Sequence, residues 1–115
     1  MDSQITILDE SKNVTGITFN GRLDAANREA VRTRLHELVA GPAAAIVVNL
    51  ENVPFIDSSG LSALVSGLRA AREQHKDIIL VKLNKQAEMV FNLTMMDRVF
   101  SIFPSVQLAL DSLPD

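Results

Sequence analysis

The sequence predicts an α/β domain built on a mixed sheet, an N-terminal hairpin followed by alternating elements in the order ββαβαβαβα. Three observations predict it. Two short segments in which apolar and polar residues alternate open the chain, around Ile5 and Ile7 and around Ile17 and Phe19, with the polar turn Glu10-Ser11-Lys12-Asn13 between them. Two apolar runs follow: AIVVNL from Ala45 is nearly continuous and rich in β-branched residues, the pattern of a strand buried on both faces, and DIILVKL from Asp77 is another strand. The remaining stretches carry apolar residues at helical spacing, and strands joined through such helices run parallel by right-handed crossovers.

The elements follow in chain order. The hairpin strands are expected at Gln4 to Leu8 and Val14 to Phe19. After Gly21-Arg22-Leu23, Asp24 is a suitable N-cap, and Val31, Leu35, Leu38 and Val39 recur at helical spacing until Gly41-Pro42 ends the run. The strand from Ala45 to Leu50 enters Val53-Pro54-Phe55-Ile56-Asp57-Ser58-Ser59-Gly60. Pro54 breaks regular structure, and Leu61, Leu64, Val65 and Leu68 then fall at i, i+3, i+4 and i+7, placing a second helix from near Ser58 to about Gln74. A strand from Asp77 to Leu83 precedes a third helix from Gln86 to Thr94, which carries Val90 and Phe91, and a short strand from Arg98 to Phe103. Pro104 opens a last helix with Val106, Ala109, Leu110 and Leu113 on one face. Nothing repeats and no segment is biased enough to be a linker, so residues 1–115 read as a single domain.

Composition narrows the function. The chain has no Cys, which removes disulfides, thiolate nucleophiles and Cys-based metal sites. Its longest apolar stretch, Ala43 to Val48, falls far short of the roughly 20 residues needed to cross a bilayer, and the start, MDSQIT, lacks the basic and apolar regions of a signal peptide. The expectation is a soluble cytoplasmic protein without membrane insertion. With 14 acidic and 11 basic residues the net charge is -3, against the basic footprint of general nucleic-acid binding. The five Phe all lie in apolar segments, where core packing is a better use than base stacking.

Searching for chemistry leaves one segment. Neither GxGxxG nor GxxxxGK[ST] occurs, so no phosphate cradle is encoded. His36 and His75 are expected on different helices as solvated residues, which leaves no set of metal ligands. A nucleophile elbow needs glycines on both sides of its serine, whereas Asp57 precedes the serines here and only Gly60 follows. No enzymatic activity and no cofactor are expected. What remains is FIDSSG, at the end of a buried strand and the start of a helix. As plain structure, Asp57 or Ser58 caps the helix and Gly60 eases the turn. As a site, Val53, Phe55 and Ile56 crowd into the same loop as two hydroxyls and form a contact surface that can be modified. A phosphate there adds a charge of about -1.5 to -2 that a helix N-terminus tolerates. A partner seated on the loop would not tolerate it. Counting residues does not separate Ser58 from Ser59.

The N-terminal hairpin, the Gly21-Arg22-Leu23-Asp24 turn, the segment VVNLENVPFIDSSGL, the GLRAAREQ helix segment and the stretch LTMMDRVFSIF together cover essentially the whole chain. In these the sequence resembles the anti-sigma factor antagonists, single STAS domains of bacterial partner-switching systems. DSSGL is the most specific of the motifs. The resemblance implies that Ser58 is phosphorylated by a serine kinase that is also the binding partner, an anti-sigma factor of the GHKL ATPase type. It implies that the unphosphorylated protein sequesters this kinase and frees its target, that the phosphorylated protein lets go, and that a PP2C-type phosphatase resets it. ATP and magnesium would belong to the kinase, and the module would act as a monomer. The implied partner surface comprises Asp24, Phe55, Ile56, Asp57, Ser58, Ser59, Gly60 and Leu61. Two other roles compete: a STAS adaptor of a transporter or stress-sensing complex, and a receiver-type domain phosphorylated on Asp57. Receivers, however, open with βαβ and bring an acidic cluster that this chain lacks.

Overall fold

The computed structural model describes residues 1–115. Its strands are β1 (Asp2–Asp9), β2 (Val14–Asn20), β3 (Ala45–Asn49), β4 (Asp77–Val81) and β5 (Ser101–Phe103). Its helices are α1 (Arg28–Ala40), α2 (Ser58–Glu73), α3 (Lys85–Leu93) and α4 (Val106–Asp111), with a single 3-10 turn at Met96–Arg98. The strands form one sheet in sequence order; β1 and β2 are antiparallel, and every later pair is parallel. This is the predicted alternation, with β3 in the middle.

Strand pleating divides the core in two. Ile46 and Val48 of β3 face the helices with Ile17, Phe19, Ile78 and Leu80, and meet Val31, Leu35, Leu64, Leu68 and Phe91. Ala45 and Val47 face the other way with Val14, Ile79 and Val81, under Ala109 and Leu110 of α4. Each helix buries one stripe, as its spacing predicts. Phe91 and Phe100 meet edge to face with centroids 5.7 Å apart, which ties α3 to the chain beyond it. No polar or charged residue is buried.

Where boundaries differ from the sequence expectation, a local hydrogen bond accounts for most of the difference. Asp24 does not cap α1: its Oδ1 accepts the N–H of Ala26 (3.1 Å), a turn that delays the helix, and Asn27 occupies the N-cap position without a capping side-chain bond. The strand expected from Arg98 begins only at Ser101, because the 3-10 turn at Met96–Arg98 occupies its start. The last helix starts at Val106 with Ser105 as its cap, whose Oγ accepts the N–H of Leu108 (3.1 Å). His75 is on no helix; it lies exposed in the turn after α2 with φ 58. His36 is half-buried rather than solvated, its Nε2 2.9 Å from Ser66 Oγ across the α1–α2 contact. In the hairpin turn, Asp9 Oδ1 accepts the Lys12 N–H (2.9 Å) and the Ser11 hydroxyl (2.8 Å), bonds that hold its carboxyl below the usual carboxylate range.

Candidate functional site

The chain between β3 and α2 leaves the sheet at the carboxyl ends of the parallel strands, where open α/β sheets place their sites. It does not stand free there. Leu50 donates its N–H to the Val81 carbonyl (3.0 Å), and Asn52 accepts the Gly21 N–H (3.2 Å). Leu23 donates to the Phe55 carbonyl (2.9 Å) and accepts the Asp57 N–H (3.1 Å), so Leu23 and Ile56 form a parallel bridge joining the GRLD turn to the FIDSS loop. Both residues are completely buried. Their neighbours Arg22, Asp24, Phe55 and Asp57 retain exposure, as strand alternation requires. On that outer side the Arg22 guanidinium lies 4.2 Å from the Phe55 ring centroid, and its Nε is 3.3 Å from Asp24 Oδ2.

The loop then turns into α2. Asp57, with extended backbone, is the N-cap, and its Oδ1 accepts the Gly60 N–H (3.0 Å). Ser58, the first helical residue, is exposed; Ser59 is half-buried, and its carbonyl accepts the Ser62 hydroxyl (2.8 Å). Gly60 has a more specific task than easing a turn. A Cβ at this position would collide with the carbonyl oxygen of Leu23, so glycine is what lets α2 pass against the GRLD turn.

The eight residues of the expected partner surface come together, but they do not all reach the surface. Ile56, Gly60 and Leu61 are buried, as is Val53, so these residues support the loop from inside. Asp24, Phe55, Asp57 and Ser59 are half-buried, and Ser58 is the most open of the set. The expected exposed apolar cluster thus reduces to Phe55, covered on one side by Arg22.

Three contributors escaped sequence reasoning. Arg22 belongs to the GRLD turn, and only the fold reveals its contact with Phe55. Asn84 caps α3 through the Ala87 N–H (2.8 Å) and donates from Nδ2 to the carbonyls of Val53 (3.3 Å) and Pro54 (3.1 Å). Its capping role had a legible signal, an Asn immediately before an apolar helical run. Gln86 had none: it accepts the Ile56 N–H (2.9 Å) and returns a bond from Nε2 to the Ile56 carbonyl (2.8 Å), across 30 residues of sequence.

No three His, Cys, Asp or Glu side chains gather as a metal centre would need, and no helix is long and apolar enough to cross a membrane. The candidate site is a surface: a hydroxyl at a capped helix start, on a platform of two bridged loops. Proteins of this architecture are known. The chain belongs to the STAS-domain family, whose model matches residues 6–109. It is similar to an anti-sigma-factor antagonist (STAS) domain protein from Planctomyces limnophilus, at 24% identity and TM-score 0.82 over 97% of both chains. The anti-sigma factor antagonist SpoIIAA, a Bacillus cell fate determinant, matches in its unphosphorylated form at 21% identity and TM-score 0.77, over 96% of this chain and 94% of that one. A phosphorylated form of SpoIIAA matches as well. A sulfate transporter family protein from Wolinella succinogenes matches at 16% identity and TM-score 0.75, over 86% of this chain and 83% of that one. At these identities the structural matches establish the fold.

Proposed function

We propose that the chain is a non-enzymatic binding module switched by phosphorylation of Ser58. Unphosphorylated, it binds and sequesters a GHKL-type serine kinase that acts as an anti-sigma factor, and so releases the sigma factor or other target that the kinase held. The kinase, supplied with its own ATP and magnesium, phosphorylates Ser58 and is released; a PP2C-type phosphatase restores binding. The module acts in the cytoplasm as a monomer. The observation that carries this reading is the exposed Ser58 at the first position of α2, beside the Asp57 cap and on a platform fixed from the GRLD turn. A structural relative that exists in unphosphorylated and phosphorylated forms supports it.

Physical chemistry explains why one phosphate suffices. A dianion at the start of a 16-residue helix meets the positive end of the helix dipole and unpaired N–H groups, so the fold survives it. The same group takes the formal charge from -3 to about -5 beside Asp57. A partner covering Ser58 would have to desolvate that charge next to the Asp57 carboxylate, at several kcal/mol. That is enough to turn binding off.

Incubation with the cognate kinase and ATP, followed by mass-spectrometric site mapping, tests the proposal. Phosphate is expected on Ser58. Ser58→Ala should hold the kinase in the presence of ATP, and Ser58→Asp should bind weakly, both with an unchanged fold. Similarity to a transporter-family protein supports a second reading, a permanent adaptor in which DSSG only caps its helix. Binding insensitive to ATP and to Ser58→Asp would favour that one. Phosphorylation of Asp57 would show as hydroxylamine-labile phosphate, but its carboxylate is already engaged by the Gly60 N–H.

A further inference from the structure

The loop that presents Ser58 is bridged on one side by Leu23. On the other side a single side chain grips it. Gln86, in the first turn of α3, makes both available backbone bonds to Ile56: Oε1 accepts the Ile56 N–H (2.9 Å) and Nε2 donates to the Ile56 carbonyl (2.8 Å). A side-chain amide carries an acceptor and a donor side by side, so Gln86 acts toward Ile56 as a neighbouring strand would. Both bonds are partly buried, and the Ile56 side chain is completely so. Without Gln86 the backbone N–H and carbonyl of Ile56 would lose their partners at a place with limited access to water, and the loop would have reason to move. Asn84 holds the carbonyls of Val53 and Pro54 from the same end of α3.

We infer that Gln86 is a positioning residue for the Ser58 switch: it fixes Ile56, and through Ile56 the Asp57 cap and Ser58, in the conformation a partner recognises. The inference rests on the proposed role of Ser58. Gln86 touches neither Ser58 nor a bound group; it acts on the backbone two residues before the phosphoacceptor. Its contribution is pre-organisation, holding the loop in one arrangement before a partner arrives so that binding does not have to order it.

The test combines amide hydrogen exchange with phosphorylation kinetics on the full chain. Gln86→Met keeps the length and shape of the side chain and removes both bonds. It should lower protection of the Ile56 amide about tenfold, while the Ile46 and Val48 amides in β3 stay as they were. kcat/KM for Ser58 phosphorylation by the cognate kinase should fall by a similar factor. Gln86→Glu supplies a readout that loss of packing would not move. Ionised, it sets a carboxylate oxygen against the Ile56 carbonyl oxygen with no proton between them, and this repulsion drives the side chain off the Ile56 backbone; protonated, it accepts and donates as the amide does. Its protection factor at Ile56, relative to wild type at each pH, should be low at pH 7 and recover as pH falls through the carboxyl pKa, about 4.3 for an unperturbed Glu. Unchanged Ile56 protection in Gln86→Met overturns the inference. So does reduced protection with unchanged phosphorylation, since the clamp would then have no bearing on the switch. If the wild-type chain is not phosphorylated at Ser58, the switch reading and the positioning role that rests on it both fall, and the exchange data then report only a structural clamp.

Discussion

Two connections on this molecule are held in opposite ways. The chain from Leu50 to Asp57 is hydrogen-bonded to the end of β2 and the GRLD turn that follows it, to the end of β4 and to the start of α3. The chain from Thr94 to Phe100 is held mainly by bonds to its own neighbours, such as Thr94 Oγ1 to the Val90 carbonyl (2.7 Å) and the Arg98 N–H to the Met95 carbonyl (3.1 Å). One long-range bond joins it from outside, from Arg72 to the Val99 carbonyl (2.8 Å). Met95 there adopts a left-handed backbone (φ 59) and leaves its side chain exposed. The difference teaches where this small domain invests its tertiary bonds. They converge on the backbone that presents Ser58, whereas a connection of similar length keeps a strained residue.

The contrast can be broken most severely at Gly60. Gly60→Ala drives a methyl group into the Leu23 carbonyl, a backbone atom that cannot swing aside, and should cost roughly 3 kcal/mol or more by chemical denaturation. Loosening of the FIDSS loop should show as lost protection of the Asp57 amide. A smaller effect is expected at Asp57→Ala, which removes the cap on the Gly60 N–H and should cost about 1 kcal/mol, with fraying confined to the first turn of α2.

The weakly tied connection should respond with the opposite sign. Met95→Gly relieves a left-handed conformation that costs an ordinary residue roughly 1–2 kcal/mol, offset by the greater chain entropy of glycine. A net stabilisation of about 0.5 kcal/mol is expected, read as a higher denaturant midpoint with an unchanged slope. Destabilisation would mean that the exposed Met95 side chain makes contacts worth more than the strain.

These differences also mark what was legible in the sequence. Periodicity is local, so β3, α2 and the apolar stripe of α4 could be read from residues such as Ile46, Leu64 and Leu110. A cap at Asp57 or Ser58 was legible from residue type, and the bond from the Gly60 N–H assigns it to Asp57. Asp24 misled because an Asp near a helix start can serve a turn as well as a cap, and only the bond to Ala26 decides between them. Burial of Ile56 could not be told from exposure, because an apolar residue in a loop reads the same whether it faces a partner or the core. The Leu23–Ile56 bridge and the Gln86 clamp each join residues about 30 positions apart, and no pattern in a single chain announces such a pairing.

All of these bonds position one hydroxyl, so the most direct measurement is made there. The purified chain is incubated with its cognate kinase and ATP, the modified residue is mapped, and kinase binding is compared before and after. The account predicts a single acid-stable phosphate on Ser58, loss of binding on its addition, and retained binding for Ser58→Ala under the same conditions. Phosphate on another residue, or kinase binding indifferent to phosphate on Ser58, would contradict it.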